Sequence, residues 1–451
     1  MTGRPGVCLV VGGPGVLHAM AGIGNATANA FPLLVLAGSV ETAIVTKGGF
    51  QELDAISLLN PHTKFAVRPT SADGIGAALQ NAYRTCWYGR PGTSFVDLPA
   101  DLIRAKALQP PTAIPRLRLP APPKSSANPV IIHKVAQLLK SATAPLIVIG
   151  KGAAYARAEF SIRQLVEGTR IPFLPTPMGK GVMPDSHYLN TSSARSVALR
   201  NADVVLLLGA RLNWILHLED TSLATLDSLS APEDGNIVYV SEGANTMDIS
   251  RSVFQLQHPR QKLDAGTSAT MGVGLGYIVA AHAAYNISSI GRGPQNQKKI
   301  VAFEGDSAFG FSAMEIETLA RQQIPALIFV MNNSGIYHGD TENEEEWRKL
   351  QKQTVMNETQ DHGRSYCHRS KKGLRSTSLL YNTRYEYLAT MCGGVGYFVR
   401  TEQELEDATR QGFLENERVV LVNVIVEPGV GQTIQFGWQS PSKKTGHDAR
   451  L

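Results

Sequence analysis

Nine short runs rich in Val, Ile and Leu, set between stretches of helical character, constrain the fold of this chain more than any other feature. They lie at 7–11, 32–37, 93–98, 145–150, 204–209, 237–240, 299–303, 326–331 and 419–426. Near-continuous apolar runs of this length read as strands buried on both faces. Their alternation with helices is the pattern of parallel sheets layered with helices. The expected class is α/β, and 451 residues leave room for two or three layer domains.

Punctuation between the runs sets the expected boundaries. Repeated prolines across 109–129 cannot continue a helix or a central strand, so this segment reads as a linker between a first block, 1–108, and a second, 130–235. The polar, turn-rich 218–235 closes the second block, and a third runs over 236–430, followed by a polar tail, 431–451. Within the third block, 356–380 is rich in Ser, Arg, Lys and His and includes His368-Arg369-Ser370-Lys371-Lys372. It reads as a solvated insertion loop, a basic ligand patch being the alternative.

The chemistry gathers at two strand ends. Gly305-Asp306-Ser307 closes one apolar run, and Asn332-Asn333 closes the next. An acidic and an amide side chain one strand–helix–strand unit apart converge at adjacent strand ends, where open α/β sheets bind ligands. Carboxylate, amide carbonyl and backbone oxygens suit a hard octahedral cation whose shell phosphates complete. Turn-forming residues that simply end buried strands are the plainer reading. Gly272-x-Gly274-x-Gly276 lacks both the preceding strand and the spacing of a dinucleotide fingerprint and is set aside.

Composition narrows the partners. A formal charge of +5 tolerates phosphorylated ligands and is too small for this length to argue for nucleic acid. Four scattered cysteines, Cys8, Cys86, Cys367 and Cys392, give neither a disulfide framework nor a zinc pattern. No apolar run is long enough to span a membrane, and residues 1–11 lack the layout of a secretory signal. Ala449-Arg450-Leu451 is a small–basic–leucine ending of the peroxisomal type, which implies a peroxisomal import receptor as partner; a cytoplasmic location is the alternative.

Several long strings carry a resemblance that covers nearly the whole chain. They are Gly150-Lys151-Gly152-Ala153-Ala154-Tyr155-Ala156, Pro172-Phe173-Leu174-Pro175-Thr176-Pro177-Met178-Gly179-Lys180-Gly181, Gly209-Ala210-Arg211-Leu212-Asn213-Trp214, Ser241-Glu242-Gly243-Ala244-Asn245-Thr246-Met247-Asp248 and Glu304-Gly305-Asp306-Ser307-Ala308-Phe309-Gly310-Phe311-Ser312. With these the chain resembles the 2-hydroxyacyl-CoA lyases, in the oxalyl-CoA decarboxylase branch of thiamine-diphosphate enzymes. Ser307 stands where the wider family usually has a third Gly. The resemblance implies three α/β layer domains (pyrimidine-binding, central and diphosphate-binding), with the first two incomplete here, and a homodimer or homotetramer.

Carried over residue by residue, the resemblance implies that Asp306 and Asn333 bind Mg²⁺ through side-chain oxygens and Gly335 through its carbonyl. Gly305, Ser307 and Ala308 let the backbone approach the diphosphate of thiamine diphosphate, and amides opening the following helix favour the anion. Ile336 and Tyr337 flank the cofactor, and Ala244, Asn245 and Thr270 belong to the same binding set. Met271 matches the apolar residue beneath the cofactor that forces its bent conformation, a positional contribution to catalysis. Phe50-Gln51-Glu52 matches the lyase pattern, where the decarboxylase usually has Tyr-Glu in place of Phe-Gln, which makes Gln51 and Glu52 catalytic candidates. Arg90, Lys151 and Arg211 match residues that hold the ADP part of CoA, and Asn245 one that meets the pantetheine arm.

The implied reaction is cleavage of a 2-hydroxyacyl-CoA to formyl-CoA and a shortened aldehyde, as in fatty-acid α-oxidation; oxalyl-CoA decarboxylation is the alternative. Two departures from the pattern stand out. The Arg-Asn-Glu-x-x-Ala segment, whose glutamate hydrogen-bonds the aminopyrimidine, has no counterpart ahead of Gly3-Arg4-Pro5-Gly6, and neither Glu41 nor Glu52 sits in its context. After His217 much of the central domain is missing before Ser241-Glu242-Gly243. The expectation is an impaired enzyme, a truncated gene product or a non-catalytic cofactor-binding isoform.

Overall fold

The structure is a computed structural model. It describes residues 2–105, 119–123, 126–211, 235–266, 268–287, 297–336, 339, 343–360 and 373–427, with the side chains of 244, 252 and 355–360 excepted. Tyr337, the tail tripeptide and residues 361–372 of the 356–380 insertion therefore lie outside the described residues, as does most of the 109–129 linker. Every strand pairing between named strands is parallel. The chain divides into two compact units, 1–138 with 266–270, and 139–265 with 271–451.

The first unit is built on a sheet of β1 (Gly6–Val10), β2 (Leu33–Ser39), β3 (Phe65–Val67) and β4 (Thr93–Pro99), in the order β1-β2-β4-β3. Alternation of side chains across the pleat divides β2 between two cores. Val35 and Ala37 join Val16 and Ile23 of the helix Pro14–Ala28, while Leu34 joins Ala78, Ala82 and Cys86 of the helix Gly74–Trp87. The return segment 266–270 belongs here because Gly266 lies so close to Asn29 that any side chain on it would overlap the Asn29 carboxamide.

The second unit carries two sheets. β5 (Pro145–Ile149), β6 (Phe173–Pro175) and β7 (Val204–Leu208) form a three-stranded one in the order β6-β5-β7. Ile147 and Ile149 pack against Ile162 and Val166 of the helix Glu159–Thr169, and Leu146 and Val148 against the opposite layer. The larger sheet contains β8 (Ile237–Glu242), β9 (Lys262–Asp264), β10 (Lys299–Gly305), β11 (Leu327–Asn332), β12 (Val395–Val399) and β13 (Val420–Ile425), in the order β12-β13-β11-β10-β8-β9. A row of aromatic contacts, Tyr239 to Phe254 to Phe303 to Phe329 at centroid spacings of 4.8, 4.7 and 5.0 Å, lines one face of it.

All nine expected runs are strands. Burial on both faces holds for β5, β11 and β13 but fails for β1 and β7. Val7 and Leu9 are 60% and 74% exposed, and Val205 and Leu207 also face outward. Among the described residues both strands are sheet edges with one covered face, so their apolar runs resemble those of central strands without sharing their environment. β3, β6 and β9, each three residues long, and β12, which follows Gly393-Gly394, lie outside those nine runs.

Candidate cofactor site at the strand ends of the second unit

β10 and β11 are neighbours with Gly305 paired to Met331, so Asp306 and Asn333 leave adjacent strand ends. Asp306 is 3% exposed. One carboxylate oxygen accepts the Ser307 amide at 2.7 Å; the other, Oδ2, is buried with no hydrogen-bond partner. Burial pushes the carboxyl up to about 6, against the pull of the Ser307, Gly335, Ser334 and Asn333 amides. The last three of these amides place the loop 333–335 beside Asp306. The loop is itself fixed: Asn333 Oδ1 accepts the Gly335 amide at 3.2 Å, Ile336 donates to the Thr377 carbonyl, and the buried Asn332 side chain donates to Thr383 and Asn423. Asn332 thus serves the framework, leaving Asn333 beside Asp306.

Two further segments close on this corner. The helix Ala244–Val253 starts after Gly243, which has φ +88° and lies so near Gly305 that a Cβ on it would sit 3.2 Å from the Gly305 nitrogen. Met271 and Gly272 precede the helix Gly274–His282, and Phe311 packs over Gly272. Asn245, Met271, 305–308 and 333–335 are therefore held around one end of the large sheet. The helix that follows Gly305 begins at Asp306 and is five residues long.

Glu242 and Glu304 are the residues that the sequence reading quoted but left without a role. They are register partners on β8 and β10 and are 1% and 0% exposed. Glu242 accepts the backbone amides of Gly272 and Gly274. No protein donor meets either oxygen of Glu304. Burial, then the facing Glu242, holds Glu304 far above the ordinary carboxyl range, and burial raises Glu242 as well, against the pull of the Gly274 and Gly272 amides. The sequence signal is limited to both glutamates standing at the carboxyl ends of apolar runs; their pairing follows from the register of β8 and β10.

The other expected residues are more dispersed. Gly150 and Gly152 donate to the Leu208 and Gly209 carbonyls at 2.9 Å, which brings the Lys151 and Arg211 segments together at the ends of β5 and β7. A Cβ on Gly150 would overlap Ala210, so this approach requires glycine. In the first unit, Arg90 is exposed, with Nη2 3.5 Å from the Ala28 carbonyl, and the Thr270 hydroxyl meets Ser268 at 2.8 Å. Glu52 accepts the Thr46 and Gly49 amides, which hold its carboxyl below the usual range, and Gln51 adopts φ 57°. A buried polar seam lies elsewhere in the second unit. Arg251 bonds Asp264 and Asp248 at 2.9 Å, Lys180 pairs with Asp185 at 3.1 Å, and Nε and Nη2 of Arg195 are buried without a partner.

A parallel α/β sheet whose strand ends gather an unpaired carboxylate oxygen, an amide side chain and closely approaching backbone is the arrangement at which open α/β sheets bind ligands. Three family descriptions match in agreement: the N-terminal TPP binding domain of thiamine pyrophosphate enzymes over 1–58, their central domain over 132–254, and their C-terminal TPP binding domain over 242–424. The chain is 37% identical to 2-hydroxyacyl-CoA lyase 1 of Homo sapiens, covering 98% of this chain and 87% of that one. It is 36% identical to 2-hydroxyacyl-CoA lyase of Saccharomyces cerevisiae (97% and 88%) and 33% identical to oxalyl-CoA decarboxylase of Escherichia coli K12 (96% and 85%). The chain belongs to the family of thiamine-pyrophosphate-dependent lyases formed by these enzymes. The human comparison runs over 530 positions against 451 residues here, so at least 79 positions fall opposite gaps in this chain.

Proposed function

We propose that this chain is a lyase that cleaves the carbon–carbon bond of a 2-hydroxyacyl-CoA, giving formyl-CoA and a shortened aldehyde, with thiamine diphosphate and Mg²⁺ bound at the large sheet. The observation that carries the cofactor assignment is the buried, unpartnered Oδ2 of Asp306 beside 333–335. A buried carboxylate oxygen without a donor is costly unless a cation completes it. Asp306, Asn333 and the Gly335 carbonyl supply the few hard oxygen ligands that Mg²⁺ takes when phosphates fill the rest of its shell. Among the described residues no group of three or more His, Cys, Asp or Glu could hold a metal instead.

When bound, thiamine diphosphate supplies the electron sink that bond cleavage beside a carbonyl needs. The chain's own residues do the positioning. Gly305, Ser307 and Ala308 would offer it backbone at close range, Ala244, Asn245 and Ile336 border the same corner, and Met271 would support the cofactor. Lys151 and Arg211, with converging backbones, suit the phosphates of CoA, and the orphaned Arg195 guanidinium is a further anion-seeking group. Exposed Phe311, Met314 and Met391 in the second unit, and Phe50 in the first, support a homo-oligomer. Ala449-Arg450-Leu451 supports peroxisomal import and a place in fatty-acid α-oxidation.

The test is incubation of the chain with a 2-hydroxyacyl-CoA, thiamine diphosphate and Mg²⁺. Formyl-CoA and aldehyde are expected; formyl-CoA and CO₂ from oxalyl-CoA alone would replace the lyase reading with a decarboxylase. A second reading, a cofactor-binding chain without turnover, is favoured by the gap positions and would show as cofactor binding with neither product.

A further inference from the structure

Three separate segments of the second unit must stand at fixed distances if one cofactor is to touch all of them: 243–245, 271–274 and 304–308. One side chain connects them. Glu242 ends β8, immediately before the turn at Gly243 that launches the helix Ala244–Val253. Its two carboxylate oxygens accept the amides of Gly272 and Gly274, one on each side of Val273, which fixes the backbone directly after Met271. Across the sheet it stands opposite Glu304, two residues before Asp306. Gly274 is confined by the same arrangement, because a side chain there would run into the Glu304 carboxyl. Hydrogen bonds from amides to a carboxylate are stronger and more directional than neutral ones, and this one is wholly buried, where loss of either partner leaves the other unsatisfied.

We propose that Glu242 is a positioning residue for the cofactor: it touches neither diphosphate nor metal, and sets the spacing between the Met271 segment, the start of the helix Ala244–Val253 and the strand end that carries Asp306. The inference rests on the thiamine diphosphate reading above and assigns to Glu242 a part that reading leaves empty. Its consequence is selective. A ligand that reaches only 305–308 and 333–335 needs little from Glu242, whereas the whole cofactor needs the three segments in register.

Calorimetric titration of the apo chain with two probes, Mg²⁺–thiamine diphosphate and Mg²⁺–pyrophosphate, separates these cases. Glu242→Gln turns an acceptor oxygen into an amide donor against a backbone N–H, and should weaken thiamine diphosphate about tenfold or more, the scale at which residues supporting a metal site act. Pyrophosphate should change by less than about twofold. Glu242→Asp keeps the charge but falls one methylene short of spanning both amides. It should show the same selective loss, and it carries the test if the glutamine variant is not recovered folded. Equal weakening of both probes would reduce Glu242 to general support of the fold, and unchanged thiamine diphosphate affinity would remove the role; either overturns the proposal. If the unsubstituted chain binds neither probe, the cofactor reading itself fails, an outcome visible before any variant is made.

Discussion

Asp306→Asn should make the cofactor-free protein more stable at neutral pH while abolishing its response to Mg²⁺ and thiamine diphosphate. In the folded chain the carboxyl titrates at about 6 against an ordinary value of 3.8, because burial penalises its charged form. A raised acid binds its proton more tightly when folded, so it adds stability that is full below pH 3.8 and lost as pH rises through about 6. The difference of roughly two pH units corresponds to about 3 kcal/mol. Asparagine has the same shape and no charge to bury, so the variant should escape that loss. Urea unfolding of the apo protein should show the native chain weakening between pH 4 and about 6.5 and Asp306→Asn nearly flat, the two curves diverging by about 1–3 kcal/mol at pH 7.5 once an imperfectly paired amide is allowed for. Adding cofactor and Mg²⁺ at a hundredfold excess over the dissociation constant should raise the native chain by about 2.7 kcal/mol and the variant by almost nothing. Parallel pH curves for the two apo proteins, or a less stable variant at pH 7.5, would refute the reasoning.

Further substitutions probe the surrounding framework. Gly274→Ala places a methyl group against the buried Glu304 carboxyl and should cost about 1–3 kcal/mol in urea unfolding; a loss below about 0.5 would show that the corner can relax. Asp264→Ala removes one of the two carboxylates paired with the buried Arg251 guanidinium, and about 3–5 kcal/mol is expected from denaturation curves. Arg195→Ala removes a partly desolvated cation whose Nε and Nη2 meet no acceptor, so it should leave apo stability unchanged or improved. Steady-state kinetics should place its effect on the KM for the CoA thioester, raised about tenfold, and a fall in kcat alone would contradict an anion-binding part.

The large-scale architecture was readable because central parallel strands advertise themselves. A run such as 326–331 has no alternation to confuse with an amphipathic helix, and it becomes β11 with both faces covered. The convergence of Asp306 and Asn333 was readable for a related reason, since they end two such runs and parallel pairing leaves those strand ends side by side. What escaped the reading depends on contacts distant in sequence. Lys262 and Asp264 give no local sign that 262–264 is a strand, because β9 exists only through its pairing with β8. Glu242 and Glu304 each look like the polar end of a strand, and only register shows that two carboxyls share one buried place. The exposed faces of β1 and β7 were hidden because position within a sheet, edge or centre, is a property of topology rather than of composition.

The return of 266–270 to the first unit has a consequence for synthesis on the ribosome. The first stretch of that unit ends at residue 138, and its last piece emerges about 130 residues later. At translation rates of roughly 5–20 residues per second the nascent first unit waits on the order of ten seconds for completion. During that interval the buried Asn29 lacks the backbone that will cover it, and the exposed Val7 and Leu9 of β1 stand beside an unfinished core. Chains stalled near residue 200 should therefore be cut by protease within 1–138 faster than chains stalled beyond residue 310, which makes this stretch of translation the point at which chaperone capture would matter most.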